Sequence, residues 1–171
     1  LLTRQVGDYQ LPDGWSIIAA GNRLTDSAAV YQMPSPVRNR LAHYELQADL
    51  DDWCEWAIQN KLDDSLISFM RYRPGLLYSF DADQYSFPTP RSWALVDKKL
   101  KVNSSEDTVF YGVSALVGDG PAGEYVAFRK IAHALPDIDM LIEKPEKYKH
   151  TKDMAISYAL TGALASRACK D

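Results

Sequence analysis

The sequence predicts a chain in two parts, a short α/β piece over residues 1–48 and an all-helical bundle over residues 49–171, with helix predominant overall. Three observations carry that division. Two short apolar runs, residues 17–20 and 42–46, are too brief for amphipathic helices and suit buried strands. From Asp49 onward the apolar residues recur at helical spacing. After Leu46 no stretch alternates as a strand would.

In chain order, residues 1–6 read as the last turn of a helix that Gly7-Asp8 breaks. Tyr9-Gln10-Leu11 then faces Trp15-Ser16-Ile17 across Pro12-Asp13-Gly14, a hairpin whose turn residues preset φ, bond their own backbone and accept positive φ, respectively. Ile17-Ile18-Ala19-Ala20 is the first buried strand, ending in Gly21-Asn22-Arg23. Residues 24–33 form a loop or a short helix capped by Asp26 or Ser27, with Ala28, Ala29 and Val30 as its body. Ser35-Pro36 starts a second short helix, with Ser as N-cap and Pro at the first helical position, running out near Arg40 and feeding the strand 42–46.

Asp49, Asp51 and Asp52 place negative charge at the next helix start, each stabilising by about 0.3–1 kcal/mol. Trp53, Trp56, Ala57 and Asn60 follow helical spacing, and Asp63-Asp64 opens another helix with Leu66, Phe69, Met70 and Arg73 on one face. Pro74-Gly75 ends that helix, and residues 76–88 are an aromatic-rich structured loop. Helices follow at about 90–102, 106–117, 123–134 and 152–168, with Trp93, Val96 and Leu100, then Val109, Val113, Leu116 and Val117, in helical register.

At 171 residues, 46% hydrophobic and 25% charged, the composition is globular. A net charge of −4 argues against a nucleic-acid partner held by bulk charge. Cys54 and Cys169 make no spaced framework, no apolar run approaches a bilayer span and no leader opens the chain, so a cytoplasmic location and no membrane partner are expected. The first residue is Leu, which predicts a piece of a longer polypeptide. The three histidines are scattered, and no metal site is expected.

Three constellations suit phosphate chemistry. Asn22 follows a buried strand, and its carboxamide can orient a water and touch a phosphate; a plain strand-ending turn is the alternative. Arg38 and Arg40 offer permanent planar charge, or simply complement a helix C-terminus. Thr89-Pro90-Arg91 puts a cation in the first turn of a helix, the wrong end for the dipole. Together with backbone N–H groups it makes an anion site; the alternative is a surface Arg paired with Asp83 or another carboxylate. Gly118-Asp119-Gly120-Pro121-Ala122-Gly123 lacks Lys and reads as a helix–helix turn rather than a phosphate loop.

These residues, in this order, resemble the second half of a MoxR-type AAA+ ATPase: the end of the P-loop core followed by its helical lid. The runs around residues 49–56, 110–113 and 122–128 resemble the family's post-core and lid helices, so the likeness covers most of the chain. It implies that Asn22 is sensor 1, that Arg40 is the arginine finger with Arg38 as second candidate, and that Arg91 is sensor 2, contacting nucleotide phosphate. It implies ATP and Mg²⁺ as cofactors, a homo-oligomeric ring, hexameric in the family's manner, a remodelling role, and a partner bearing a von Willebrand factor A domain. The chain departs from the pattern in three ways. Arg40 is followed by Leu41 where the family usually has Phe, and there is neither a Gly-Lys nor an Asp-Glu dipeptide, so Walker A and a conventional Walker B end are missing. The chain alone is therefore expected to be inactive. The alternative is a non-catalytic helical interaction module of the same ancestry, or, third, a nucleic-acid adaptor using Arg23, Arg38 and Arg40.

Overall fold

Several helix starts after residue 48 are set by side-chain oxygens. Asp49 caps α2 (Leu50–Gln59), accepting a hydrogen bond from the Asp52 N–H at 3.0 Å, and Asp63 caps α3 (Asp64–Tyr72), accepting from the Ser65 N–H at 2.9 Å. Each cap satisfies an N–H that the helix itself leaves open. A 3-10 turn at Pro74–Leu76 follows α3. The remaining helices are α4 (Pro90–Lys101), α5 (Glu106–Val117), α6 (Asp119–His133), α7 (Ile138–Glu143) and α8 (Met154–Ala168). The computed structural model describes residues 4–22, 32–102, 105–148 and 151–168. It divides into two units, residues 1–46 and 47–171.

The second unit is all helical among the described residues. Its core is aromatic and centres on Phe69. The Phe69 ring lies 5.7 Å from Trp93, 5.3 Å from Tyr125 and 5.5 Å from Phe128, at steep interplanar angles that suit ring quadrupoles. Val96, Val113, Val117 and Leu66 close the same core. Small residues of α8, among them Ala155, Ala159 and Gly162, let its backbone approach α3. A Cβ on Gly162 would stand 1.8 Å from the Ser68 Oγ and 3.0 Å from its Cβ. Asp97 is buried yet satisfied: it accepts from the Asp63 N–H at 2.8 Å and pairs with Lys101 at 2.7 Å.

Several helical details differ from the sequence expectation. On α2 the buried face is Trp53, Cys54 and Ala57, while Trp56 and Asn60 face outward. On α3 Arg73 is exposed and pairs with Glu124 of α6 at 2.6 Å. Helix α6 begins at Asp119 rather than near 123, because Gly118 alone makes the break: its φ of +86° puts it where L side chains rarely go. Pro121 then sits in the first turn, where no helical N–H is needed. Helix α7, with six residues, was too short to show a period.

The first unit departs further. Its only strands among the described residues are β1 (Gln5–Val6) and β2 (Tyr9–Gln10), antiparallel, with Gln5 opposite Gln10 and Val6 opposite Tyr9. The hairpin therefore turns at Gly7-Asp8, with Gly7 at φ +59°, and not at Pro12-Asp13-Gly14. Gly at the first of two turn positions matches the right-handed twist of the strands. Residues 5 and 6, expected to end a helix, are strand instead; residues 1–3 lie outside the described residues. The loop after β2 is held by Arg4, whose guanidinium donates to the Pro12 and Trp15 carbonyls at 2.8 Å each.

The two expected buried strands, 17–20 and 42–46, are not formed. Both stretches are irregular, and Ile18 and Leu46 are about nine-tenths exposed, at 91% and 90%. A strand of a parallel sheet needs hydrogen-bonding neighbours and covered faces, and no described segment supplies either to these runs. The described residues thus do not show the α/β piece of the expected fold, while they are predominantly helical, as expected of the second part. Helix α1 (Ser35–Arg38) is short, as expected, but Pro34 takes the N-cap position and Pro36 falls within the first turn. The expected loop or helix at 24–33 and its caps Asp26 and Ser27 fall almost wholly outside the described residues, as does Arg23.

Candidate functional site

The start of α4 is the best-built of the sequence-predicted sites. Thr89, in extended backbone, is its N-cap, and Pro90 sits in the first turn. The cap is reciprocal: the Thr89 Oγ1 accepts from the Ser92 N–H at 3.0 Å, and the Ser92 Oγ accepts from the Thr89 N–H at 2.8 Å. The approach loop is closed by the Ser79 N–H donating to the Pro88 carbonyl at 3.0 Å and by Phe80 against Phe87, edge to face at 5.1 Å. Ser92 Oγ also reaches the Phe87 carbonyl at 3.2 Å.

Two indoles fix this turn from below. The Trp93 N–H donates to the Leu76 carbonyl at 2.7 Å, and the Trp53 N–H of α2 donates to the Pro90 carbonyl at 3.2 Å. Both rings are buried, so both N–H groups need such acceptors. Arg91, one residue after Pro90, is exposed and has no ion pair to a described carboxylate. Asp83, the alternative partner, has its own N–H turned onto the Asp81 carboxylate at 3.0 Å. An unneutralised cation at the positive end of a helix dipole is unfavourable by up to about 1 kcal/mol, and an anion in contact with both would reverse that sign.

Asn22, Arg38 and Arg40 belong to the first unit and Arg91 to the second. Asn22 is exposed and follows irregular chain rather than the end of a buried strand. Arg38 is the last residue of α1, and Arg40 lies in the turn that follows; both are exposed. The Arg38 carbonyl accepts from the His43 ring at 2.8 Å. Among the described residues no hydrogen bond or ion pair joins Asn22, Arg38 and Arg40 to one another.

One feature carried little signal in the sequence. A cleft of about 370 Å³ opens between the start of α3, the end of α6, α7 and α8, with Asp64, His133, Asp139, Ser166 and Arg167 on its rim. The Ser166 hydroxyl donates to Asp64, and Arg167 pairs with Asp139 at 2.8 Å, so the polar groups at the rim answer one another. The only trace in the sequence is the run of small residues on α8 that leaves the space open. Cys54 is buried against Arg71; burial pushes its thiol up, and the guanidinium opposes that without reversing it, so it is not an activated nucleophile. Among the described residues no group of three or more His, Cys, Asp or Glu could hold a metal ion, and no helix is long and apolar enough to cross a membrane.

No protein-family model, no curated protein and no solved structure matches the chain.

Proposed function

We propose that the chain is the C-terminal portion of an ATP-hydrolysing, MoxR-type AAA+ ATPase, comprising the end of the nucleotide-binding core and the helical lid. The observation that carries this is Arg91: a solvent-facing guanidinium without a described ion-pair partner, in the first turn of a helix whose start is fixed by a capping box and two indole hydrogen bonds. A phosphate-binding arginine needs its backbone held by such supporting hydrogen bonds. The order Asn22, Arg40, Arg91 along the chain supports the same reading.

Under this reading Arg91 would hold a terminal phosphate of ATP, Asn22 would orient the attacking water and Arg40 would reach the site of a neighbouring subunit in a homo-oligomeric ring. Bound Mg²⁺ would neutralise charge developing on the phosphates. The Lys that cradles the phosphates and the acid that positions Mg²⁺ would come from a segment other than these 171 residues. A cytoplasmic, client-remodelling role, with a von Willebrand factor A domain partner, belongs to the same proposal.

The test uses the polypeptide that carries this chain together with a phosphate loop. Arg40→Ala should lower ATP turnover by about 10³-fold or more and leave ATP binding intact. Unchanged turnover removes the finger assignment. A polypeptide with no phosphate loop at all, and no ATP binding, favours the interaction module instead.

A further inference from the structure

We infer that Trp53 is a positioning residue for Arg91: its indole ties the first turn of α4 to α2, the first helix of the second unit. The inference rests on the reading of Arg91 as a phosphate contact. The capping box at Thr89 and Ser92 sets the local shape of the helix start, since both of its hydrogen bonds lie within four residues of chain. Where that start sits on the bundle is set by the burial of Trp93 and Val96, by the Ser79–Pro88 bond of the approach loop and by two indole hydrogen bonds, which differ in kind. Trp93 belongs to α4 itself and grips the turn after α3 through the Leu76 carbonyl. Trp53 belongs to α2 and grips the Pro90 carbonyl from 37 residues away.

Among the described residues this is the one side-chain hydrogen bond between α2 and α4. Helix α2 begins at Leu50, four residues after the boundary between the two units at Leu46 and Gln47. Any reorientation of α2 therefore pulls on the peptide that immediately precedes Arg91. A guanidinium must be held to within roughly 0.5 Å to keep a productive hydrogen bond to phosphate, and a misplacement of about 1 Å can cost up to about 100-fold. Trp53 is 6% exposed and its ring fills the core beside Cys54 and Ala57, so losing the Pro90 acceptor would leave a largely buried N–H poorly satisfied.

The experiment titrates ATP and ADP separately into the phosphate-loop polypeptide carrying Trp53→Phe, Arg91→Ala, both, or Val113→Ala, with a melting curve for each. Arg91→Ala should weaken ATP by roughly 10- to 100-fold, the range for a hydrogen bond to a charged group, with ADP little changed. Trp53→Phe should weaken ATP by roughly three- to tenfold, again sparing ADP, and the double variant should match Arg91→Ala alone. Val113→Ala, a core change on α5, should leave the ATP-to-ADP ratio where it was. A normal ratio in Trp53→Phe alongside a lost one in Arg91→Ala overturns the inference and leaves the reading of Arg91 standing. A normal ratio in Arg91→Ala overturns both. An equal shift in Val113→Ala also overturns the inference, since loosening anywhere would then suffice. Should Trp53→Phe not fold, amide exchange of the unaltered protein decides. ATP must slow exchange in α2 and in the first turn of α4 together, and slowing in α4 alone overturns the inference.

Discussion

Trp93 and Trp15 carry the same side chain into opposite surroundings. In the second unit Trp93 is fully buried, its ring edge to face with Phe69 and Tyr125 and its N–H on the Leu76 carbonyl. In the first unit Trp15 is 64% exposed, and its backbone carbonyl is what the structure uses, as an acceptor for Arg4. The contrast extends along both units. Leu66, Val96 and Val113 are buried, whereas Ile18, Tyr44 and Leu46 are open to solvent. Helical residues make their backbone hydrogen bonds locally and need only one covered face. Strand residues need neighbours for their backbone and for both faces. The second unit buries the apolar faces of its long helices, whereas the apolar runs 17–20 and 42–46 of the first lie outside its one two-stranded sheet among the described residues.

The sharpest way to break this comparison is to remove the centre of the helical core. Phe69→Ala deletes the ring that Trp93, Tyr125 and Phe128 all touch, and truncations of this kind cost about 3–5 kcal/mol. Denaturant unfolding, followed by the helix signal, should show the unfolding free energy fall by that amount, with the midpoint lowered accordingly. A loss below about 1 kcal/mol would mean that the second unit is no better packed than the first.

A smaller effect is expected where α8 meets α3. Gly162→Ala gains up to about 1 kcal/mol of helix propensity but drives a methyl into Ser68, at a site where overpacking costs about 1–3 kcal/mol. The Ser68 hydroxyl cannot swing away freely, because it donates to the Asp64 carbonyl at 2.8 Å. The variant should be less stable than the parent, and Gly162→Ala with Ser68→Ala should recover part of the loss. Stabilisation by Gly162→Ala alone would show that α8 rides on α3 more loosely than the geometry has it.

What was legible in the sequence divides along the same line. Asp49, Asp63 and Thr89 announce helix starts because a cap is a local event, complete within four residues. The faces of α4 and α5 follow from period alone. Gly118 was harder, since several breakers cluster around it and only the backbone shows which one takes positive φ. Residues 17–20 misled for a physical reason: an apolar run states that it wants burial and says nothing of whether a neighbour is there. At the candidate site the cap and the exposed Arg91 could be read from Thr89-Pro90-Arg91, but the Trp53 link could not. It joins residues 37 apart through a backbone carbonyl, which no side-chain pattern encodes.

The smallest expected effect tests the first unit directly. Ile18 is 91% exposed, so Ile18→Ala in this chain should change stability by no more than about 0.5 kcal/mol, the range for surface positions. Under the proposed function, the same change in a polypeptide that also carries a phosphate loop should cost about 2–5 kcal/mol, because an Ile on a covered strand leaves a cavity when truncated. The difference between the two numbers measures whether the apolar run finds a sheet. Equal, near-zero costs in both settings would mean that residues 17–20 are surface in every context, and the proposal that they end the nucleotide-binding core would fail with them. A large cost in the longer polypeptide alone would give Asn22 the buried strand that a phosphate-sensing carboxamide requires to be held in place.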